Sequence, residues 1–138
     1  MKKTKYKLLV ITPINHIEGL KRILENIGTV TYKDDPSYNY IKKIIKNFDA
    51  IYTNPNKSNV LIDKDLIDSG KKLKVICTAS TGTNHIDIKY AKKKGVHIIS
   101  LKNERKIINK ISSTAEHALA LTLTSLRNVI PSYESVKK

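Results

Sequence analysis

Residues 73–87 read LKVICTASTGTNHID. The apolar run Val75–Ala79 carries no charge, which is typical of a strand buried on both faces of a parallel sheet. A loop of small polar residues with a single glycine, Gly82, follows the run and leads into a predicted helix. Ligands bind α/β proteins at the carboxyl ends of such strands, and backbone N–H groups hold an anion where a glycine leaves the approach open. The stretch therefore predicts an α/β fold with a site for a small anion, in particular a carboxylate.

The segments on both sides of this stretch alternate between strand and helix patterns. Strands are predicted over residues 6–12, 29–32, 50–52, 75–79 and 96–100, and helices over 16–27, 38–47 and 86–94. Gly28 is interpreted as a left-handed cap that ends the first helix, and Gly95 as the residue that closes the last one. Asp63 is the predicted N-cap of a further short helix that ends before Gly70. Such alternation predicts a flavodoxin-like parallel sheet of five strands flanked by helices.

The pattern changes after residue 111. Residues 101–110 form the most charged stretch and are interpreted as a loop. Ser113 and Glu116 have the spacing of a capping box, in which the serine caps the helix and the glutamate reaches back to it. The helix predicted from Ser113 to Arg127 is apolar almost all the way round, so it is expected to be buried on several faces. We therefore expect a domain over residues 1–111, followed by an interdomain helix and tail over residues 112–138.

The chain is strongly basic, with 26 Lys and Arg against 12 Asp and Glu among 138 residues, for a formal net charge of +14. A nucleic-acid partner is one interpretation of that excess. A lysine-rich surface is the favoured one, because the lysines are spread along the chain and aromatic residues for stacking on single strands are few. No apolar run approaches the about 20 residues of a membrane span.

The chain contains one cysteine, Cys77, in the middle of a predicted strand. A single cysteine excludes an internal disulfide and argues against a metal site built from cysteines. Cys77 is therefore interpreted as a small buried hydrophobic residue. The cytoplasm is the expected location.

Several motifs taken together resemble one family. The order of elements, the loop STGTNHID at residues 80–87, the later Gly95-Val96 and the sequence STAEH at residues 113–117 resemble the D-isomer-specific 2-hydroxyacid dehydrogenases. That family includes D-3-phosphoglycerate dehydrogenase, and the resemblance extends from Lys7 to Ile130. It implies that the chain is the amino-terminal part of a flavodoxin-like substrate-binding domain. The parent activity would be hydride transfer between a 2-hydroxy acid and NAD.

The resemblance also implies roles for individual residues. In the family, backbone amides of the glycine-containing loop hold the substrate carboxylate. Those amides correspond to Thr81 and Gly82, with Thr83 adjacent. The position of Thr81 also lies next to the nicotinamide of NAD. The loop after the third strand lines the same cleft, which would place Thr53 and Asn54 near the substrate.

The chain lacks other parts of the family pattern. It contains no Gly-x-Gly-x-x-Gly fingerprint, and no counterparts of the arginine, glutamate and histidine that orient the substrate and move its proton. His85 and His117 are not counterparts of that catalytic histidine. The dinucleotide-binding domain is therefore predicted to be absent from this chain, with no catalytic residue and no metal ligand. We expect no NAD binding and no turnover by the chain alone, a small 2-hydroxy or 2-oxo acid as ligand, and a homo-oligomer formed through helix 113–127.

The alternative is a non-enzymatic flavodoxin-like module that binds or interacts through its basic surface. A receiver domain of the response-regulator type shares the strand order. Such a domain needs acidic residues at the end of the first strand, where this chain has Thr12 and Pro13.

Overall fold

The computed structural model describes residues 6–137 and divides them into two compact units. The first unit ends at Asn103 and contains one parallel sheet, in the order β2-β1-β3-β4-β5. Its strands are β1 (Tyr6–Val10), β2 (Gly28–Tyr32), β3 (Ala50–Thr53), β4 (Val75–Thr78) and β5 (His97–Ser100). The predicted five-stranded parallel α/β fold is confirmed.

Four helices connect these strands. They are α1 (Leu20–Ile27), α2 (Tyr38–Ile44), α3 (Lys64–Ser69) and α4 (Ile88–Lys93), and a 3-10 turn over Ile45–Asn47 follows α2. A second 3-10 turn, Leu101–Asn103, follows β5. The short loops and parallel strands are those expected for right-handed crossover connections.

The two faces of the sheet are covered unequally. Side chains alternate between the faces along each strand, so Leu9, Ile51 and Ile76 point to one face, where they pack with buried residues of α2, α3 and α4. On the opposite face, Leu8 and Val10 pack against Leu24 of α1. Among the elements of the first unit, α1 is the only helix whose buried residues belong to that smaller cluster.

On the sheet face that α1 covers, the part next to β4 and β5 is open. A groove of about 550 Å³ runs across it, bordered by Leu24 and Ile27 of α1 and by Tyr52, Cys77 and Ile99 of the sheet. The side chain of Ile99 is 55% exposed, although a strand of a parallel sheet is ordinarily covered on both faces. The strand predicted to be buried on both faces was β4, and on this face that prediction, with the predicted full burial of Cys77, is wrong. Cys77 is half-buried, and burial raises the pKa of its thiol.

Gly28 was predicted to end α1 as a left-handed cap, and that prediction is wrong. Its φ is −175°, which is extended backbone, and it is the first residue of β2, paired with Tyr6 of β1. A Cβ at Gly28 would lie against the carbonyl oxygen of Tyr6 and 2.9 Å from its carbonyl carbon. A glycine is needed here because the backbone of the neighbouring strand passes so close.

Other predicted helix ends are confirmed. Gly95 has a φ of 75° after α4, in the left-handed region that favours glycine. Asp63 caps α3, and its Oδ1 accepts a hydrogen bond of 2.9 Å from the backbone N–H of Leu66. The first helix, however, begins at Leu20 and not at residue 16, because Gly19 has a φ of 75° and interrupts the helical backbone directly before it.

The second unit, beginning at Glu104, consists of helices α5 (Arg105–Ile108), α6 (Ser113–Leu126) and α7 (Val129–Val136). The structure differs from the prediction in two places. The stretch predicted as a charged loop contains α5, and the stretch predicted as a tail contains α7. The predicted capping box at Ser113 is also wrong. Ser113 is already helical, and it is Ser112 whose hydroxyl donates to the Glu116 carboxylate, at 2.5 Å. Ser112 itself has nearly helical dihedral angles, so the pair is spaced as successive turns of one helix.

The apolar residues of the second unit are exposed. Neither α6 nor α7 contains a buried residue. The exposed large side chains of these two helices are Leu119, Leu121, Leu123, Leu126, Val129, Ile130, Tyr133 and Val136. Within residues 6–137, no helix is long and apolar enough to cross a membrane.

Tyr38 and Asp63 link α2 to the start of α3. The Tyr38 hydroxyl donates a 2.8 Å hydrogen bond to Asp63 Oδ1. Burial of the hydroxyl, together with this bond and the negative charge of Asp63, raises the pKa of Tyr38 to about 12. Burial alone would raise the pKa of Asp63, but the bonds from Leu66 and Tyr38 outweigh it and hold that pKa below its ordinary value.

We expect this link to give the chain a specific alkaline sensitivity. Because the folded-state pKa of Tyr38 is raised above the ordinary value near 10, its contribution is complete below about pH 10 and is lost as the pH rises towards 12. Tyr38→Phe should cost about 0.5 to 1 kcal/mol at neutral pH and flatten this part of the profile. Urea denaturation of both proteins between pH 8 and 12 measures the difference. Parallel stability curves would contradict the prediction.

Candidate functional site

The site begins where β3 and β4 end. Thr53 and Thr78, the last residues of these strands, are partners in the parallel pairing, and both side chains are buried. The backbone N–H of Ala79 donates a 3.0 Å hydrogen bond to the carbonyl oxygen of Thr53. The loops that follow the two strands therefore start side by side at the carboxyl edge of the sheet.

The loop after β4 has an unusual number of unbonded donors. From Ser80 to His85, none of the six backbone N–H groups donates to an acceptor among the described residues. Thr81 and Gly82 are exposed, and Thr83 is partly exposed. A run of backbone donors without protein partners forms a site where an anion can be held by hydrogen bonds.

Gly82 has no structural reason to be a glycine. A Cβ built at this position meets no atom within 4 Å, and Gly82 is not among the residues with positive φ. The fold would therefore accept a side chain here. A side chain at Gly82 would occupy the open space in front of the loop.

Both ends of the loop are held in place. At its far end, the N–H of Ile62 donates to the His85 carbonyl at 2.8 Å, and the N–H of Asp87 donates to the Ile62 carbonyl at 2.9 Å. The Asp87 carboxylate caps α4 by accepting from the N–H of Tyr90 at 3.0 Å. The unbonded donors thus belong to a loop whose ends are fixed to the sheet and to α4.

Three side chains form a hydrogen-bonded chain beneath the loop. His85 Nε2 lies 3.0 Å from Thr78 Oγ1, which lies 2.9 Å from Ser80 Oγ. The Ser80 hydroxyl donates to the carbonyl oxygen of Gly82 at 2.6 Å. Burial lowers the pKa of His85, which favours its neutral form. The sequence analysis did not include Thr78 and Ser80 in the site. Their hydroxyl side chains at the end of the predicted strand could have indicated them.

The neighbouring loop, after β3, is shaped by Asn54. Its side-chain oxygen accepts from the N–H of Asn56, and its carbonyl accepts from the N–H of Lys57, each at 3.0 Å. The hydroxyls of Thr53 and Ser58 are buried and have no partner among the described residues. The same holds for Thr12, which follows β1.

The structure places the predicted site residues on two adjacent loops. Thr81, Gly82 and Thr83 belong to the loop with free donors, and Asn54 is partly exposed on the loop beside it. Thr53, the last residue of β3, is fully buried, so its side chain is enclosed by protein. Within residues 6–137, no group of three His, Cys, Asp or Glu residues could hold a metal ion.

Comparisons with known proteins agree with this architecture. A sequence model described as "D-isomer specific 2-hydroxyacid dehydrogenase, catalytic domain" matches residues 8–132. D-3-phosphoglycerate dehydrogenase of Archaeoglobus fulgidus is 30% identical over 132 residues, which cover 96% of this chain and 23% of that protein. Formate dehydrogenase of Pichia angusta is 31% identical over 121 residues, covering 86% of this chain and 32% of that enzyme.

Solved structures show the same fold. D-lactate dehydrogenase from Aquifex aeolicus, in complex with NAD and lactic acid, superposes with a TM-score of 0.71 at 24% identity, covering 96% of this chain and 37% of that one. NAD-dependent formate dehydrogenase from Staphylococcus aureus, in complex with NAD, gives a TM-score of 0.71 at 23% identity, covering 92% and 40% of the two chains. The chain therefore spans well under half the length of the proteins it matches.

Proposed function

Since this chain belongs to the D-isomer-specific 2-hydroxyacid dehydrogenase family, we propose that it supplies the carboxylate-binding loop for a small 2-hydroxy or 2-oxo acid. One observation carries the proposal: six consecutive N–H groups, from Ser80 to His85, have no acceptor among the described residues. The relatives are named for substrates that share a carboxylate, namely 3-phosphoglycerate, formate and lactic acid. A carboxylate is the ligand that a run of backbone donors suits.

In this proposal the amides of Thr81 and Gly82 bind the carboxylate, with that of Thr83 adjacent. Asn54 and Thr53 form the neighbouring wall, on which the partly exposed Asn54 offers the accessible polar group. Fixing the carboxylate would fix the position of the substrate carbon that bears the hydroxyl. The contribution of this chain to the reaction is then positioning, which lowers the entropic part of the barrier.

In the whole protein, a bound NAD would supply the hydride chemistry. The residues present here do not fit the pyrophosphate of a dinucleotide, because Gly28 is packed within a strand and Gly82 is alone in its loop. Thr81 is the one residue that we propose to lie beside the nicotinamide. We therefore propose that the chain alone neither binds NAD nor turns over substrate, and that the whole protein is a cytoplasmic NAD-dependent oxidoreductase.

We expect Gly82→Val to weaken carboxylate binding while leaving the fold intact. The valine side chain would fill the space in front of the donors, so affinity for glyoxylate or glycolate should fall at least about tenfold. Stability should change by no more than about 0.5 kcal/mol, since no atom beyond the two neighbouring residues lies within 4 Å of the added Cβ. Titration calorimetry and thermal melts of both proteins measure the two effects.

Glycolamide, which lacks the carboxylate charge, and NADH serve as controls and should show no saturable binding at near-physiological salt. The salt matters because a chain with a net charge of +14 attracts anions non-specifically. If the wild-type chain binds neither glyoxylate nor glycolate, the proposed site is refuted and a non-enzymatic interaction module becomes the better interpretation.

We also propose that the chain forms homo-oligomers through α6. Leu119 is 60% exposed and Leu126 is 73% exposed on this helix, and large apolar patches ordinarily find a partner. A protein with both leucines changed to glutamine should be monomeric by light scattering where the unchanged chain is a dimer. A strictly monomeric unchanged chain at high concentration would contradict the proposal.

A further inference from the structure

We infer that His85 is a positioning residue of the carboxylate loop: as the Nε2–H tautomer, it sets the direction of a hydrogen-bond relay that orients the peptide between Gly82 and Thr83. The inference rests on the proposed function for its ligand, but the relay itself can be tested without one. It follows from the number of hydrogens that two hydroxyl groups and one imidazole ring can donate.

The carbonyl oxygen of Gly82 only accepts, so the Ser80 hydroxyl must donate its single hydrogen in the 2.6 Å bond. Ser80 Oγ then has no hydrogen left for Thr78, and the 2.9 Å contact between the two hydroxyls requires Thr78 to donate. Thr78 in turn has no hydrogen left for His85.

The 3.0 Å contact between Thr78 Oγ1 and His85 Nε2 is therefore a bond that the imidazole donates. If Nε2 carried no hydrogen, Thr78 would have to donate to it, and the contact between Thr78 and Ser80 would set two lone pairs against each other. Only the order His85 to Thr78 to Ser80 to Gly82 satisfies all three contacts. Burial lowers the pKa of His85 and so favours a neutral ring with one hydrogen, which the three contacts place on Nε2.

The relay ends on an atom that controls a donor of the loop. The Gly82 carbonyl and the Thr83 N–H belong to one peptide unit, and no peptide bond in the described chain is cis. In a trans peptide these two groups point in opposite directions. Holding the carbonyl on Ser80 therefore holds the Thr83 N–H directed away from Ser80, as one of the unbonded donors of the loop.

The relay predicts which replacements of His85 are tolerated. His85→Gln retains an amide N–H that can reach Thr78, whereas His85→Leu removes the donor. With leucine, the Thr78 hydroxyl loses the partner that fixes its direction, and the Gly82 peptide loses its constraint. We expect glyoxylate affinity to fall about tenfold in His85→Leu and in Ser80→Ala, and to stay within about threefold of the unchanged chain in His85→Gln.

The experiment combines two measurements on the full 138-residue chain. Nitrogen-15 NMR of the imidazole rings above neutral pH reports which nitrogen of His85 carries hydrogen, with the exposed His16 and His97 as internal references. Calorimetry with glyoxylate reports binding by the variants. His97→Leu is the matched control, because it makes the same chemical change on β5 and should leave the affinity unchanged.

Each outcome decides a separate point. Hydrogen on Nδ1 of His85, with Nε2 bare, overturns the relay whether or not any ligand binds. An Nε2–H ring with no glyoxylate binding by the unchanged chain leaves the relay standing and overturns the proposed function together with the positioning role. Equal affinities of His85→Leu and the unchanged chain also overturn that role. If His85→Leu does not fold, Ser80→Ala and His85→Gln give the same comparison.

Discussion

Replacing Gly28 with valine should destabilise the chain by at least about 3 kcal/mol. The added Cβ would lie against the carbonyl oxygen of Tyr6 and 2.9 Å from its carbonyl carbon, and neither is a flexible side chain that could turn away. Relief requires β1 and β2 to separate at the point where Tyr6 and Gly28 are paired. Urea denaturation followed by circular dichroism measures the loss.

Gly82→Ala is the matched control for this experiment. It adds the same Cβ to a glycine with no neighbour within 4 Å and should change the free energy of unfolding by no more than about 0.5 kcal/mol. The comparison separates steric conflict from the general effect of replacing glycine. If Gly28→Val unfolds at the same urea concentration as Gly82→Ala, the close approach of the two strands is not present in solution.

The second large effect is expected at Ile76, in the middle of β4. Its side chain is 0% exposed and packs with the helices on the fully covered face, so Ile76→Ala should cost about 2 to 5 kcal/mol. Ile99 on the adjacent β5 faces the open groove and is 55% exposed. Ile99→Ala should therefore cost less than about 1 kcal/mol.

The pair tests the unequal coverage of the sheet with one chemical change. Both variants remove the same atoms from neighbouring strands, so any difference between them reports the surroundings. A loss at Ile99 as large as that at Ile76 would show that the open face is covered in solution. Chemical denaturation at several protein concentrations would then show whether that cover comes from a second copy of the chain.

The parts of the fold predicted well from sequence were those set by local pattern. Short apolar or β-branched runs predicted the strands. Asp63 predicted a helix start through its side-chain acceptor, and Gly95 a helix end through its left-handed backbone. Gly28 was misinterpreted because its role depends on Tyr6, a residue far away in sequence. The start of α1 was predicted too early because the amphipathic pattern begins at Ile17, before the left-handed backbone of Gly19.

The candidate site was predictable only in part, for a similar reason. The small polar loop around Gly82 follows from its position after an apolar strand. The alignment of Thr78, Ser80 and His85 depends on side-chain geometry that no spacing rule supplies. Full burial of Thr53 likewise follows from packing, and it shifts the accessible polar group on that loop to Asn54.

The strand order has a consequence for how the sheet can assemble as the chain is synthesised. β1 precedes the other four strands in the chain, yet it lies inside the sheet, with β2 on one side and β3 on the other. Each later strand is therefore added to an edge that already exists: β2 to one side of β1, then β3, β4 and β5 in turn on the other. None of the described strands has to be inserted between two that are already paired. Vectorial folding from the amino terminus can thus proceed without breaking an established pair of strands.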